Sequence, residues 1–386
     1  MSGLIPYGRQ WLDENDIAAV VRALRSDWLT TGPEVSAFER AFAERVGAGH
    51  AVAVSSGTAA LHAAMFALGI GPGDEVIVPP MTFAASANCV VYQGATPVFC
   101  DVEPDTLLLD PALVEKKVTP RTRAVVAVDY AGQPCEYEAL RAIAQRHKLA
   151  LVADACHAAG ATYRGRPVGS LADLSTFSFH PVKHLTTGEG GMVTTDDEAL
   201  AGRMRSFRNH GISTDFRQRE RQGTWYYEMT ELGYNYRISD FQCALGASQL
   251  RKLTQWVQRR QQIADRYRAA FARIDHVAPL GTRPDRTHAY HLYVVRIKPT
   301  RGGGRKVVFE RLRAAGVGVN VHYIPVHLHP YYRRRFGTGP GLCPVAEAAY
   351  EEVLSLPMYP AMTDDQVERV IQAVSQAMEP TPAPAP

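Results

Sequence analysis

Lys183 closes the run Ser178-Phe179-His180-Pro181-Val182-Lys183 and is followed almost at once by Thr186-Thr187-Gly188-Glu189-Gly190-Gly191. The chain contains 35 arginines but only seven lysines, so a lysine set between a strand-like run and a glycine turn stands out. Only an amine can form a Schiff base with a carbonyl, and arginine cannot take its place.

Three other places carry groups that could work with it. Ser55-Ser56-Gly57-Thr58-Ala59-Ala60-Leu61 passes from strand into helix. Free amides and the helix dipole at such a start favour a phosphate, and Gly57 allows close backbone approach, although a simple Ser or Thr N-cap would also explain the run. Phe83, in Pro79-Pro80-Met81-Thr82-Phe83, could stack on a flat ring or pack in the core. Asp154 ends the apolar run Leu149-Ala150-Leu151-Val152-Ala153. A carboxylate at the end of a buried strand needs a cation or several donors. A protonated pyridine nitrogen would serve, and capping of a following helix is the plainer account. His157 could hydrogen-bond a cofactor oxygen or be structural, and Ser178 could hold phosphate. Phosphate cradle, aromatic ring, an acid about 70 positions on and a lysine about 30 further together describe a pyridoxal phosphate site.

The elements that must position these groups alternate between short β-rich runs and helical patterns from about residue 50 to 195, the mark of an α/β unit with a mostly parallel sheet. Strands are expected at 52–54, 74–78, 96–99, 123–128, 149–153 and 176–179, with a helix over 58–68. In open α/β sheets ligands sit beyond the carboxyl ends of the strands, where four of these ends carry the candidates. A helical stretch over 240–272 leads out of this unit, and a strand over 290–297 opens a smaller one. The expected organisation is a large domain over 1–250, including an N-terminal arm, a small C-terminal α+β domain over 251–378, and a disordered Pro-Ala tail over 379–386. Arg301-Gly302-Gly303-Gly304-Arg305 reads as a surface turn.

Composition narrows the partners. With 386 residues, 46% apolar and 21% charged, the chain is long enough for a large core and two domains. A net charge of +3 from 42 basic and 39 acidic residues, dispersed along the chain, suggests neither nucleic acid nor membrane as a partner. The densest basic run, Arg333-Arg334-Arg335, reads as a surface loop. Six cysteines without CxxC spacing read as buried apolar residues of a reducing compartment. The absence of a secretory pattern or a long apolar run points to the cytoplasm. His322, His327 and His329 raise a metal reading, the last two facing one side of a strand. No carboxylate or cysteine stands at ligand spacing, so histidines lining a pocket are the simpler account and no metal is expected.

With these motifs in hand, residues 5–378 resemble a type I pyridoxal-phosphate aminotransferase of the DegT/DnrJ/EryC1/StrS group, which aminates nucleotide-linked keto sugars. Leu232-Gly233-Tyr234-Asn235-Tyr236-Arg237 with Asp240-Phe241-Gln242 resembles a segment whose asparagine reaches the cofactor phosphate of a neighbouring subunit. The resemblance therefore implies a homodimer with shared sites and Asn235 as a cofactor contact. It also implies Lys183 as the Schiff-base lysine and Asp154 on the pyridine nitrogen. His157, where many relatives have Gln, would meet the phenolic oxygen; Gly57, Thr58 and Ser178 would hold the phosphate, and Phe83 would stack on the ring. Dehydratase-like members have histidine in place of Lys183, which disfavours their reaction here. Within the group, Asp129-Tyr130-Ala131-Gly132 and Val321-His322-Tyr323-Ile324-Pro325 are most similar to the pseudaminic acid pathway aminotransferases. That likeness implies L-glutamate as donor, amination at C4 of a UDP-linked 4-keto-6-deoxy-L-hexosamine, and substrate contacts at Tyr7, Asp27, Trp28, Leu29, Thr30, Ser56, His322 and Tyr323. A same-fold carbon–sulfur lyase would need a reactive cysteine, for which Cys343 in loop-like sequence is the candidate. A non-enzymatic regulator would be expected to carry an added DNA-binding segment.

Overall fold

The computed structural model describes residues 3–214, 216–299 and 303–379. Part of the expected turn at 301–305 and all but the first residue of the expected tail lie outside these limits. The centre is a seven-stranded sheet built from β1 (His50–Val54), β2 (Glu75–Val78), β3 (Thr96–Phe99), β4 (Thr122–Val128), β5 (Ala150–Asp154), β6 (Leu174–Ser178) and β7 (Gly191–Thr195). Their spatial order is β1-β7-β6-β5-β4-β2-β3. All neighbours pair in parallel except at β7, which runs antiparallel to both β1 and β6. The six expected strands are present with ends shifted by up to two residues. β7 is not among the expected strands, because its Gly-Met-Val-Thr-Thr sequence has little of the apolar run that marks its neighbours.

The strands read as near-continuous apolar runs because helices cover the sheet. The helix Gly57–Ala67 is buried almost all round and follows β1 directly. Phe38 and Phe42, from the helix Pro33–Val46, meet Phe177 and Phe179 with ring centroids 4.9 to 5.5 Å apart. Each such ring contributes roughly 1.5–3 kcal/mol by leaving water, and together they anchor the strand that leads to Lys183. Two early helices have readable starts: Glu14–Leu24 opens on a capping box between Asp13 and Asp16, and Pro33 sits at the first turn of Pro33–Val46.

The expected long helix over 240–272 is two helices, Asp240–Leu250 and Leu253–Phe271. At the break Lys252 reaches Asp16 (2.7 Å) and Asp13 (2.9 Å), tying it to the N-terminal helix. A second core surrounds an antiparallel sheet of β8 (Val277–Pro279), β9 (Tyr293–Ile297) and β10 (Val353–Leu356), in that order. Ile5 packs into this second core and bridges Val317. Arg333, Arg334 and Arg335 lie in the helix Pro330–Phe336, not in a loop, because Pro330 fits its first turn. His327 and His329 are not on a strand either. Val326–Leu328 is a short 3-10 turn and His329 precedes Pro330, so their side chains do not share a face. His327 Nε2 lies 2.8 Å from Glu347 Oε1, and of the three histidines expected to line a pocket only His322 lines the cleft described below.

Candidate active site

The carboxyl ends of β1, β5 and β6 open into one cleft of about 540 Å³ at the junction of the two cores. Tyr7, Ser56, Gly57, Thr58, Phe83, Asp154, His157, Ser178, Lys183, His322 and Tyr323 all line it. These residues come from far-separated segments because parallel strands put their ends on one edge. Asp27, Trp28, Leu29, Thr30 and Asn235 do not line it.

At the floor, β1 runs into the helix Gly57–Ala67. Ser56 Oγ accepts the Ala59 amide (3.0 Å), so Ser56 is a helix cap. The first amides of the helix, at Gly57 and Thr58, have no intrahelical acceptor and remain for an anion. A Cβ added at Gly57 would lie 2.8 Å from Ser178 Cβ and 3.3 Å from Cys156 Sγ. Any larger residue would fill the cradle between the two strand ends.

Asp154 is buried, and no helix follows it to be capped. Ser86 Oγ donates to its Oδ2 (2.6 Å), Ser86 in turn lies 2.6 Å from Thr82 Oγ1, and the Cys156 amide reaches Oδ1 at 3.3 Å. Thr82 and Ser86 were not singled out in the sequence. Their position just beyond β2, on either side of Phe83, was the available signal. Phe83 itself is 61% exposed at the cleft mouth, 6.2 Å from the Tyr323 ring, which removes the core-packing account of it.

Lys183 projects from a loop that the neighbouring sequence holds shut. The Phe179 amide donates to Gly190 O (2.8 Å), and the Thr187 amide and Thr186 hydroxyl both donate to Phe179 O (3.0 Å each). Protein surrounds the amine, and this loss of water pulls its pKa down, opposed by Cys156 and Asp154. His291 Nε2 is its neighbour at 3.4 Å. His291, His157 and His184 are buried around it, and burial together with the lysine's charge drives their pKa values well below the usual histidine range. Tyr323 Oη lies 3.2 Å from His157 Nε2, while His157 Nδ1 is buried with no partner. His322 Nδ1 is 2.8 Å from Ser355 Oγ, and Tyr130 donates to the His322 carbonyl, so the small unit is pinned against the cleft. His291 and Asn320 also line the cleft and carried no local motif.

Asp27 to Thr30 lie elsewhere, against the start of the helix Asp240–Leu250. Thr30 bridges Ser239, Leu29 O accepts the Asp240 amide (3.0 Å), and the Trp28 ring lies 6.3 Å from Phe216. Asn235 is exposed and bridges Asn209.

Cys343 is fully buried at the start of the helix Pro344–Glu352, and burial pushes its thiol upward. Cys156 borders the cleft, where burial and Asp154 likewise hold its thiol protonated. Neither resembles an activated nucleophile. Among the described residues no helix is long and apolar enough to cross a membrane.

A Gly-floored anion cradle, a carboxylate presented by Ser86, an amine depressed by burial and an orphaned histidine nitrogen fit pyridoxal phosphate. The profile of the DegT/DnrJ/EryC1/StrS aminotransferase family matches residues 10–375. The chain is 46% identical over 373 residues to the spore coat polysaccharide biosynthesis protein SpsC of Bacillus subtilis (strain 168), covering 96% of each. It is similar to the putative sugar aminotransferase Spr1654 of Streptococcus pneumoniae in its PMP form, with a TM-score of 0.92 at 32% identity over 97% of this chain and 99% of that one. Helicobacter pylori PseC, described as an aminotransferase involved in the biosynthesis of pseudoaminic acid, gives a TM-score of 0.90 at 32% identity over the same shares, 97% and 99%. The chain belongs to the DegT/DnrJ/EryC1/StrS family, with the type I aminotransferase fold, and is a pyridoxal-phosphate-dependent sugar aminotransferase.

Proposed function

We propose that the enzyme moves the amino group of L-glutamate to the C4 ketone of a UDP-linked 4-keto-6-deoxy-L-N-acetylhexosamine. The products are UDP-4-amino-4,6-dideoxy-N-acetyl-β-L-altrosamine and 2-oxoglutarate, a step of pseudaminic acid biosynthesis. The observation that carries the aminotransferase part of this reading is the meeting of Lys183, Asp154, Ser178 and His157 in one cleft roofed by His322 and Tyr323. Likeness to PseC supports the sugar. Higher identity to the spore-coat protein SpsC favours a second reading, amination of another nucleotide-linked 3- or 4-keto sugar.

In this reading Gly57, Thr58 and Ser178 would hold the phosphate, Phe83 would stack on the ring, and His157 would meet the phenolic oxygen. Bound there, pyridoxal phosphate would supply an electron sink. Asp154, fixed by Ser86, would keep a proton on the ring nitrogen. Lys183 Nζ, with a pKa lowered by burial, takes a proton as base and returns it as acid. Tyr7, Ser56, His322 and Tyr323 face the sugar nucleotide. Asn235 and the 27–30 segment act on a partner's cleft in a homodimer. Exposed Leu29 (50%), Trp225 (84%) and Leu232 (72%) support an interface role for these segments.

The test is to incubate the purified protein with L-glutamate and a panel of nucleotide-linked keto sugars, L- and D-configured, and to identify products by mass spectrometry and NMR. Amination at C4 of the UDP-linked L-sugar alone supports the proposal. Preference for a different keto sugar sinks the pathway assignment and keeps the reaction class.

A further inference from the structure

We propose that His291 is the positioning residue for Lys183, its Nε2 hydrogen-bonding the lysine amine so that the free amine stays in place and unprotonated. The proposal rests on Lys183 being the lysine that carries the cofactor.

His291 Nε2 lies 3.4 Å from Lys183 Nζ, although the two are 108 positions apart. The segment that delivers it is held from several sides. The buried Arg260 guanidinium donates to the carbonyls of Tyr290 (3.0 Å), His291 (3.5 Å) and Met358 (2.8 Å). The Ala289 and Leu292 amides donate to Gly132 O (2.9 Å) and Ala131 O (3.1 Å), and His184 Nε2 lies 3.0 Å from Ala289 O. Gly132 is needed here, since a Cβ on it would come within 2.8 Å of Tyr290 N and 3.0 Å of His291 N. Tyr290 has a φ of 49°, a left-handed conformation that a non-glycine residue keeps only where its surroundings impose it. A backbone so constrained, ending in an imidazole against the lysine, is more than core packing requires.

The chemistry favours a donor role. His291 Nδ1 is buried without a partner. With its proton on Nε2, the ring leaves only a lone pair unpaired inside the protein and points an N–H at the lysine nitrogen, which favours the unprotonated amine. The opposite tautomer buries an unpaired N–H, the rarer arrangement. The groups facing His291 are Lys183, His157, whose ring centre is 4.3 Å away, His184 at 5.8 Å, and Arg260. Those acting on Lys183 besides His291 are Asp154, Cys156, His157, His184 and His322. Burial lowers the amine's pKa, and with the histidines neutral the Nε2–H of His291 adds a donor at 3.4 Å that favours the same unprotonated state.

The test uses the full-length protein stripped of cofactor by L-glutamate and dialysis. Pyridoxal phosphate is added back, and the rate of appearance of the Schiff-base absorbance is followed against pH. In His291→Phe the midpoint of that profile is expected to rise by about half a pH unit or more, with bleaching of the reloaded cofactor by L-glutamate slowed roughly tenfold. His291→Gln, which keeps an N–H at similar reach, is expected to restore the wild-type midpoint. An unmoved midpoint in a folded Phe variant overturns the proposal, as does a slowing fully accounted for by a lower Tm or lost cofactor. If the Phe variant does not fold, His291→Asn, too short to reach the amine, carries the same expectation. Lys183→Ala separates the two ideas: if it still forms the Schiff-base absorbance, the assignment of Lys183 fails on its own.

Discussion

Around Lys183 the side chains are buried and tied to one another; in the segments that carry Leu29, Trp225 and Asn235 they are largely exposed. Asp154 is held by Ser86, His157 by Tyr323 and Lys183 by His291, each across a long sequence separation. The other segments show Leu29, Trp225, Tyr226, Tyr227, Met229 and Leu232 to solvent. Burial makes the first region chemically tuned, because removing water moves pKa values and fixes hydrogen bonds. Exposure leaves the second with many large apolar side chains in water, the kind of area that marks interaction surfaces.

If that contrast is right, disturbing the first region should cost chemistry without cost to assembly, and the second the reverse. The largest effect is expected from Lys183→Ala: turnover falls by roughly 10⁴-fold or more while circular dichroism and Tm stay near wild type. Normal turnover in that variant would falsify the role of Lys183. Asp154→Ala should keep part of its cofactor but lose about 10²–10³-fold in the rate of cofactor bleaching by glutamate. An unchanged rate would remove Asp154 from the mechanism.

A mixture sharpens the comparison further. Lys183→Ala and Asn235→Ala are each expected to be impaired, and refolded together they should regain up to about a quarter of wild-type sites, since in the proposed homodimer each mixed pair would hold one intact site. No recovery beyond the sum of the two would show that Asn235 serves its own chain or none.

The buried histidines predict how stability depends on pH. His62 and His322 are pulled down by burial to about 4, and His288 to about 3, so the folded state binds their protons less readily than the unfolded state. Their contribution is complete above the unfolded pKa of about 6.5 and is lost as pH falls below it, by at most about 1.4 kcal/mol per unit for each. Asp129 works the other way. Burial raises it to about 7, so it adds stability as pH falls from there toward its unfolded value. Three histidines outweigh one carboxyl, and the urea midpoint should drop between pH 6.5 and 5. A flat midpoint would mean that water reaches these rings. The smallest effect is expected from Phe83→Ala. A ring stacking contact is lost, weakening cofactor retention up to about tenfold, and Tm hardly changes because the residue is exposed.

Much of the cleft is legible in the sequence. The alternation of short apolar runs with helical patterns placed Ser56, Asp154 and Ser178 at strand ends, and the parallel sheet then had to bring those ends to one edge. That inference needs only local periodicity and a rule of topology, which is why the strands at 96–99 and 123–128 lie within a residue of expectation. What lacked a local signal was read less well. β7 has no apolar run, His327 and His329 lie on a turn before a proline and not on a strand, and Cys343, in a bend just before the helix Pro344–Glu352 as expected, is buried by packing that no local pattern records.

By itself, then, the sequence determined the lysine, the glycine cradle and the acid, because each sits where a backbone element must end, and residue type and neighbours alone dictate that. Only the tertiary structure decided what surrounds them. Ser86 reaches Asp154 across the large sheet and His291 reaches Lys183 from a segment 108 positions away, while Asn320 joins the same cleft and Trp28 and Asn235 do not line it. Such contacts join residues with no shared period, and their distances follow from how whole elements fill space, so no local pattern in the chain records them.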